Sequence, residues 1–275
     1  MNAQPQATES ASAGLWPLVQ QFMLRHTGNV LRDEQAYLLD SRLPRAIKPL
    51  GFTALNEFIF ATCVANPKPE HAATLIEAMT THETSFFRDK TFWDQIRSAI
   101  LPELAQKMSD GRNARIWCAA CSTGQEPYSL AMMIRDVVPQ LAARIEIVAT
   151  DIAKPTLAHA REGFYSSLET NRGLDIKHLA KFFTQAPGGF RAKDELRNAI
   201  KWQQHNLLGL DTDPINCDVV LCRNVLIYFS ETDRNIVLKR LLKATMPNGV
   251  FGLGSTESCR EAGLQSIAVG LYRKT

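Results

Sequence analysis

After residue 110, short apolar runs alternate with helical patterns, and this alternation constrains the fold more than any other feature of the chain. The apolar runs are RIWCA, IEIVAT, CDVVLC and GVFGLGS, and the helical patterns between them include PYSLAMMIRDVV, KPTLAHARE and TDRNIVLKRLLKATM. Strands without a polar face are buried on both sides, and their alternation with helices is typical of a doubly wound parallel sheet. The sequence therefore predicts an α/β domain over residues 109–275.

The chain before this domain predicts helices and no strands. We expect helices from Leu15 to His26, from Asp33 to Lys48, from about Thr53 to Val64 and from about Glu70 to Thr80. Gly28 should stop the first helix, and Pro44 should kink or divide the second.

These patterns predict four parts of the chain. They are a disordered tail over residues 1–14, an all-α domain over 15–80, a linker with an aromatic-rich connecting helix over 81–108, and the α/β domain. Polar sequence with a turn at Pro187-Gly188-Gly189 interrupts the last part, which predicts a small insertion with its own hairpin at about residues 165–202.

Composition excludes several classes of protein. With 45% hydrophobic residues, most of a 275-residue chain can fold around a core. No window approaches eighteen uncharged apolar residues, and the first residues lack a signal-peptide pattern, so we expect a cytoplasmic protein without a membrane span. The balance of 31 basic and 28 acidic residues does not favour nucleic-acid binding.

The six cysteines predict thiols, because the chain shows no leader sequence and no disulfide framework. Cys118 and Cys121 form a C-x-x-C pair, which allows a zinc or redox site. Free cysteine also packs as a small hydrophobe, and Cys118, Cys217 and Cys222 all lie at the ends of apolar runs. We favour packing and expect no metal.

Polar residues follow the predicted strands, where ligands bind in parallel sheets. The first strand leads into ACSTGQEP, a loop of small residues that opens a helix but lacks the P-loop lysine and two glycines of a dinucleotide fingerprint. Asp151 ends the second strand and suits ribose hydroxyls, or caps the following helix. The third strand is followed by HNLL and the fourth by RNVLIYF. Together these ends predict a nucleoside-type ligand.

The motifs THETSFFRD, CAACSTGQEPYSLAM, ATDI, HNLL and CRNVLIYF, in this order, resemble those of the chemotaxis receptor methyltransferases, the CheR family. The resemblance runs from about residue 15 to the end. It implies an enzyme that transfers a methyl group from S-adenosylmethionine to glutamate side chains of bacterial chemoreceptors and releases S-adenosylhomocysteine. It also implies a Rossmann-like methyltransferase domain with an inserted β-subdomain, preceded by a small helical domain.

The resemblance assigns cofactor contacts residue by residue. Thr84 and Arg88 would touch the cofactor, with His82 at a position where the family often has Asn. Glu126 would bind the methionine amino group and Asp151 the ribose. The remaining positions are Asn206 and Leu207 at the adenine end, and Arg223 and Asn224 near the methionine part or the entering substrate.

A glutamate carboxylate has a pKa of about 4.3 and is already an anion at neutral pH, so the transfer requires no general base or metal. We expect Arg88 and Tyr228 to orient this carboxylate as the catalytic residues. Arg88 must not bind it too tightly, because its charge is lost in the transition state. Phe86, Phe87 and Phe92 are interpreted as packing that holds Arg88.

Arg42, Arg45 and Lys48 lie at helical spacing on the second helix and predict a docking face for acidic receptor methylation helices. A solvated helix face is the alternative. By the same resemblance, relatives that bind a receptor-tail pentapeptide have a longer hairpin than QAPGGF, so we expect pentapeptide independence.

Two alternatives remain open from the sequence. The cofactor half would look the same in a methyltransferase that acts on another protein or on a small carboxylic acid. The chain could also be a non-catalytic module that senses the cofactor.

Overall fold

The computed structural model describes residues 13–210, 212–259 and 263–275. The chain divides into two compact units, one extending to Thr81 and the other running from His82 to Thr275. Of the predicted tail, residues 1–12 lie outside the described residues, whereas Ala13–Leu15 form a 3-10 turn.

The described secondary-structure elements of the first unit are helices and helical turns. Its helices are α1 (Trp16–Thr27), α2 (Tyr37–Ile47), α3 (Leu55–Ile59) and α4 (Pro69–Met79), with 3-10 turns at Asp33–Gln35 and Lys48–Leu50 and a π-helix at Phe60–Val64. Leu39, Leu43 and Ile47, four residues apart on α2, are buried in its core.

Two local predictions for this unit have different outcomes. Gly28 ends α1 as predicted, at φ 72°, and its N–H donates to the Leu24 carbonyl. Of the two effects predicted for Pro44, division of the helix is wrong, because α2 continues from Tyr37 to Ile47, and a kink stays a prediction. Pro44 is exposed, so water can replace the helical hydrogen bond that its ring removes.

The second unit contains a seven-stranded sheet in the order β6-β2-β1-β7-β8-β10-β9. Its strands are β1 (Ala114–Ala119), β2 (Ile145–Asp151), β6 (Ile200–Gln204), β7 (Cys217–Cys222), β8 (Thr245–Leu253), β9 (Leu264–Ala268) and β10 (Leu271–Lys274). The first five in the order pair in parallel, and β10 and β9 close one edge antiparallel. The predicted doubly wound α/β class is confirmed.

The second unit also contains helices in the segments between and before the strands of the main sheet. They are α5 (Lys90–Gln95), a π-helix at Ile96–Ile100, α6 (Leu101–Lys107), α7 (Gln125–Val137), α8 (Lys154–Glu162) and α12 (Glu231–Ala244), with 3-10 turns at Pro139–Arg144 and Leu226–Tyr228. Side chains alternate across β1, so that Ile116 joins one buried cluster and Trp117 the other. Phe92 and Trp93 belong to the first cluster, so the segment expected as a connection packs into the core of this unit.

The insertion forms a separate antiparallel sheet in the order β3-β5-β4. Its elements are β3 (Phe164–Ser166), α9 (Ser167–Asn171), α10 (Ile176–Phe182), β4 (Phe183–Ala186), β5 (Gly189–Ala192) and α11 (Asp194–Arg197). Pro187 and Gly188 link β4 to β5, which confirms the hairpin. β6 begins at Ile200 and pairs with β2 in the main sheet, close to the end expected for the insertion at about residue 202.

Candidate functional site

The order of the sheet reverses at β1, which lies between β2 and β7. From β1 the chain adds strands first on one side and then on the other, so the loops after β1, β2 and β7 diverge around one crevice. The carboxyl edge of a parallel sheet at such a point is where open α/β folds bind ligands.

The loop after β1 is shaped by unusual backbone conformations. Ala120, Ser122 and Gly124 all have positive φ, at 54°, 52° and 92°. A Cβ on Gly124 would lie 2.9 Å from the Ala160 Cβ and 2.9 Å from the Trp202 ring, so this position requires glycine. The loop therefore leads tightly into the first turn of α7.

A buried ion pair joins the loops after β1 and β7. Arg223 Nη1 donates to Glu126 Oε2 at 2.9 Å, while its Nη2 donates to Asp89 Oδ2 at 2.7 Å and to the Arg88 carbonyl at 2.8 Å. The guanidinium lies 4.0 Å from the centre of the Phe92 ring, and its side chain is 3% exposed. Phe92 thus packs against the Arg223 guanidinium, which in turn binds the Arg88 carbonyl.

Glu126 lies in the first turn of α7 with its side chain 12% exposed. Burial raises the pKa of its carboxyl, and the nearby Arg223 and Arg88 guanidinium groups act in the opposite direction. The Glu257 carboxylate also contributes to raising this pKa. A further cation beside Glu126 would stabilise its ionised form.

The Asp151 carboxylate is held by the backbone at the end of β2. Its Oδ2 accepts from the Ser122 N–H at 2.8 Å and its Oδ1 from the Ala153 N–H at 3.0 Å. It does not cap α8, whose N-cap is Ala153 without a side-chain cap. The backbone contacts instead fix a carboxylate against the loop after β1.

The TSFFR segment lies against the same loop. The His82 carbonyl accepts from Ser122 Oγ at 3.2 Å, and Ser129 Oγ accepts from the Phe87 N–H at 3.0 Å. Phe87 and Asp89 have φ of 47° and 63°. Thr84 and Arg88 are half-buried, and Arg88 Nη1 donates to the Glu83 carbonyl at 3.0 Å.

Two further predicted contacts follow β6. Asn206 Oδ1 accepts from the Leu208 N–H at 3.0 Å, which shapes the turn after the strand. Leu207 is buried in an apolar cluster with Trp117, so its side chain serves the core and its backbone faces the turn.

After β7, Asn224 has φ 59° and Tyr228 ends the 3-10 turn Leu226–Tyr228 with its side chain half-buried. The sequence analysis missed Glu257, which accepts the N–H groups of Asn224, Leu226 and Gly254. The sequence signal that could have indicated Glu257 is its position three residues after Gly254, the glycine that directly follows β8.

The predicted docking residues lie in the first unit, where all three are exposed. Arg42 Nη1 donates to the carbonyls of Ala78 and Thr80, at 3.1 and 2.8 Å, at the end of α4. Arg42 is therefore tied to the helix end.

None of the six cysteines forms a disulfide, and five of them are buried. Burial raises the pKa of both Cys118 and Cys121 well above the ordinary thiol value. Within 13–210, 212–259 and 263–275, no group of three potential metal ligands occurs. Nor does any helix in that part of the chain have the length and apolar character to cross a membrane.

The donor set of the crevice fits S-adenosylmethionine. Glu126 offers a carboxylate for an ammonium group, Arg223 a cation for a carboxylate, and Asp151 an acceptor for ribose hydroxyls. Arg223 Nε is buried and has no hydrogen-bond partner among the described residues, which leaves one donor for a ligand. Fold and site together define a Rossmann-like nucleoside-binding enzyme with an antiparallel edge and an inserted β-subdomain.

Comparison with known proteins identifies the family. The protein family described as "CheR methyltransferase, SAM binding domain" matches residues 82–270 of this chain. The chain is 35% identical to Chemotaxis protein methyltransferase 1 of Pseudomonas aeruginosa, over 90% of this chain and 92% of that protein. It is 34% identical to Chemotaxis protein methyltransferase Cher2 of Pseudomonas putida, over 86% and 87%, and 30% identical to the Escherichia coli chemotaxis protein methyltransferase, over 87% and 82%.

The chain belongs to the CheR methyltransferase family and is an S-adenosylmethionine-dependent methyltransferase of bacterial chemotaxis. Its cofactor is S-adenosylmethionine, and the resemblance stated from the motifs is confirmed. The cofactor-sensing alternative without catalysis is not supported by these relatives.

Proposed function

We propose that this enzyme methylates glutamate side-chain carboxylates in the cytoplasmic methylation helices of chemoreceptors, forming methyl esters. The observation that carries the proposal is the buried Arg223–Glu126 pair at the reversal point of the sheet, beside Asp151. This arrangement suits a zwitterionic amino acid joined to a ribose. The relatives' role in chemotaxis supports chemoreceptors as the methyl acceptors and the cytoplasm as the location.

The chemistry places modest demands on the protein. When bound, S-adenosylmethionine supplies a methyl group on a positively charged sulfur. The acceptor glutamate is ionised at neutral pH, since its pKa is about 4.3. The task of the chain is therefore to position the carboxylate and to exclude water, and no side chain has to remove a proton.

Arg88 and Tyr228 are the residues to which we assign the orientation of the acceptor carboxylate. Both are half-buried, and they belong to the segments that flank Arg223, whose guanidinium bonds to the Arg88 carbonyl. Arg88 Nη1 bonds to the Glu83 carbonyl, and among the described residues Arg88 forms no salt bridge with a carboxylate, although its charge also acts on Glu126; this supports attraction of an acceptor anion. His82, Thr84, Asn206, Leu207 and Asn224 complete the proposed cofactor contacts.

The docking surface on the helical unit rests on Arg45 and Lys48. Both are exposed, whereas the Arg42 guanidinium is engaged by the end of α4. Acidic receptor helices would approach this face by charge attraction. The β4–β5 link of Pro187 and Gly188 is short, which supports an enzyme that acts without a receptor-tail pentapeptide.

The reaction is tested with labelled S-adenosylmethionine and a receptor cytoplasmic fragment, followed by mild alkali. We expect label to enter the fragment and to leave as volatile methanol, as a carboxyl methyl ester requires. A fragment with its methylated glutamates changed to alanine is the control. Cofactor binding without transfer to the receptor, together with transfer to a small carboxylic acid, would contradict the proposal.

Docking is tested by reversing charge on the helical unit. Arg45→Glu with Lys48→Glu should raise KM for the fragment by about tenfold and leave KM for S-adenosylmethionine unchanged. Lys68→Glu is the matched control, because Lys68 is exposed and precedes the other end of α4. If both charge reversals raise KM for the fragment equally, the proposed docking face is wrong. Activity on receptors with and without the tail pentapeptide should be the same.

A further inference from the structure

The Glu257 carboxylate uses both oxygens to hold backbone amides at the carboxyl edge of the sheet. Oε2 accepts from the N–H of Asn224 at 2.8 Å and of Gly254 at 2.7 Å, and Oε1 accepts from the N–H of Leu226 at 2.8 Å. Glu257 is 8% exposed. A buried carboxylate that accepts three amides fixes the position of each of them.

The three amides come from two separate loops. Asn224 and Leu226 follow β7, whereas Gly254 follows β8 and also accepts the Glu257 N–H through its carbonyl at 3.0 Å. A Cβ on Gly254 would lie 2.6 Å from Asn224 Nδ2 and 2.8 Å from Glu257 Oε2. The absence of a side chain at Gly254 therefore makes room for the carboxylate.

The loop held in this way carries the residues assigned to the reaction. It begins at Arg223, passes through Asn224 at φ 59°, and enters the 3-10 turn that ends at Tyr228. A positive φ is uncommon for a residue other than glycine, although asparagine tolerates it better than most. This conformation needs support from its surroundings, and the Glu257 carboxylate accepts the N–H of Asn224 itself.

We propose that Glu257 is a positioning residue that holds the 223–228 loop in the geometry required for methyl transfer. The inference rests on the proposed function, which assigns Tyr228 of this loop to the acceptor and Asn224 to the cofactor. Glu257 acts through the backbone of this loop, and its contribution is to the orientation of the reacting groups. Small errors in such orientation are costly to turnover.

The test compares Glu257→Gln with Asp218→Asn. Asp218 is also 8% exposed, accepts the Arg115 N–H at 3.0 Å and pairs with Arg112, but it lies near the start of β7, away from the crevice. Glutamine keeps the size of glutamate but turns an N–H donor toward amides that also donate. We expect Glu257→Gln to lower kcat by about 100-fold and to raise the Kd for S-adenosylmethionine by less, about tenfold at most, because Arg223 and Asn224 of the same loop are assigned to the cofactor.

Asp218→Asn should lower the melting temperature but change kcat less than about threefold. Gly254→Ala is a second variant, which crowds the carboxylate without removing its charge, and it should lower kcat to the same extent, again with a smaller rise in the Kd for S-adenosylmethionine. Hydrogen exchange of the 223–228 backbone should accelerate in both crevice variants and not in Asp218→Asn.

Equal kcat losses at Glu257 and Asp218, or unchanged exchange of the 223–228 backbone in Glu257→Gln, would overturn the proposal. The exchange measurement needs no methyl acceptor. If the wild-type enzyme transfers no methyl group to receptor fragments, the proposed function fails, while the exchange comparison still decides whether Glu257 holds the loop.

Discussion

Replacing Arg223 with methionine should destabilise the second unit strongly. The variant loses the hydrogen bonds to Glu126, Asp89 and the Arg88 carbonyl and the contact with the Phe92 ring. It leaves the Glu126 carboxylate buried without its cation, and breaking a buried pair in this way costs about 3–5 kcal/mol. The free energy of unfolding should fall by that amount at pH 7.5.

The loss should depend on pH, with a sign that follows from Glu126. Burial already raises the pKa of this carboxyl, and without Arg223 the folded-state pKa rises further. Between the unfolded value, about 4.3, and this raised value, the folded variant binds more protons than the unfolded chain, so its stability increases as pH falls. The deficit should therefore be smaller at pH 5.5 than at pH 8.

Urea denaturation followed by tryptophan fluorescence measures the effect, because Trp93, Trp117 and Trp202 lie in the second unit. The double variant Arg223→Met with Glu126→Gln should recover about 1–3 kcal/mol of the loss, since the stranded charge is gone. A loss below about 1 kcal/mol, or a deficit that grows as pH falls, would refute the argument that burial of an unpaired carboxylate dominates.

Four further substitutions test the packing of the second unit and the site. Gly173→Ala should lower the free energy of unfolding by about 2–4 kcal/mol, because φ is 104° and a Cβ would lie 1.8 Å from the Phe86 carbonyl oxygen. Gly111→Ala is the control: φ is 94° but the space around it is open, so only the conformational cost of about 1–2 kcal/mol is expected. Equal losses in the two variants would contradict the clash at Gly173. Asp151→Asn should weaken S-adenosylmethionine binding by about 10- to 100-fold, as measured by calorimetry. Unchanged affinity would show that Asp151 does not bind the ribose. Arg88→Ala should lower kcat far more than cofactor affinity, and equal losses in both would argue against orientation of the acceptor.

Strand prediction succeeded where strands are buried on both faces and was incomplete at the edges of the sheet. β1, β2 and β7 are almost entirely buried, so their residues are apolar at nearly every position. β6 lies at one edge with three of its five residues exposed, and β9 lies at the other edge with three of five exposed. Their sequences, IKWQQ and LQSIA, therefore carry little of that signal, which is why β9 was not predicted and β6 was indicated only by the HNLL segment that follows it.

From the amino-acid sequence alone, the fold class, the family and the residue types at the strand ends could be determined, because burial periodicity and motifs are local in the chain. Only the tertiary structure decided which of these residues meet. Arg223 and Glu126 are 97 positions apart, and Arg223 and Asp89 are 134 apart. The role of Glu257 is visible only in the fold, because the parallel pairing of β7 and β8 brings the loops after these strands together. Such pairings depend on strand order and register, which local periodicity does not encode.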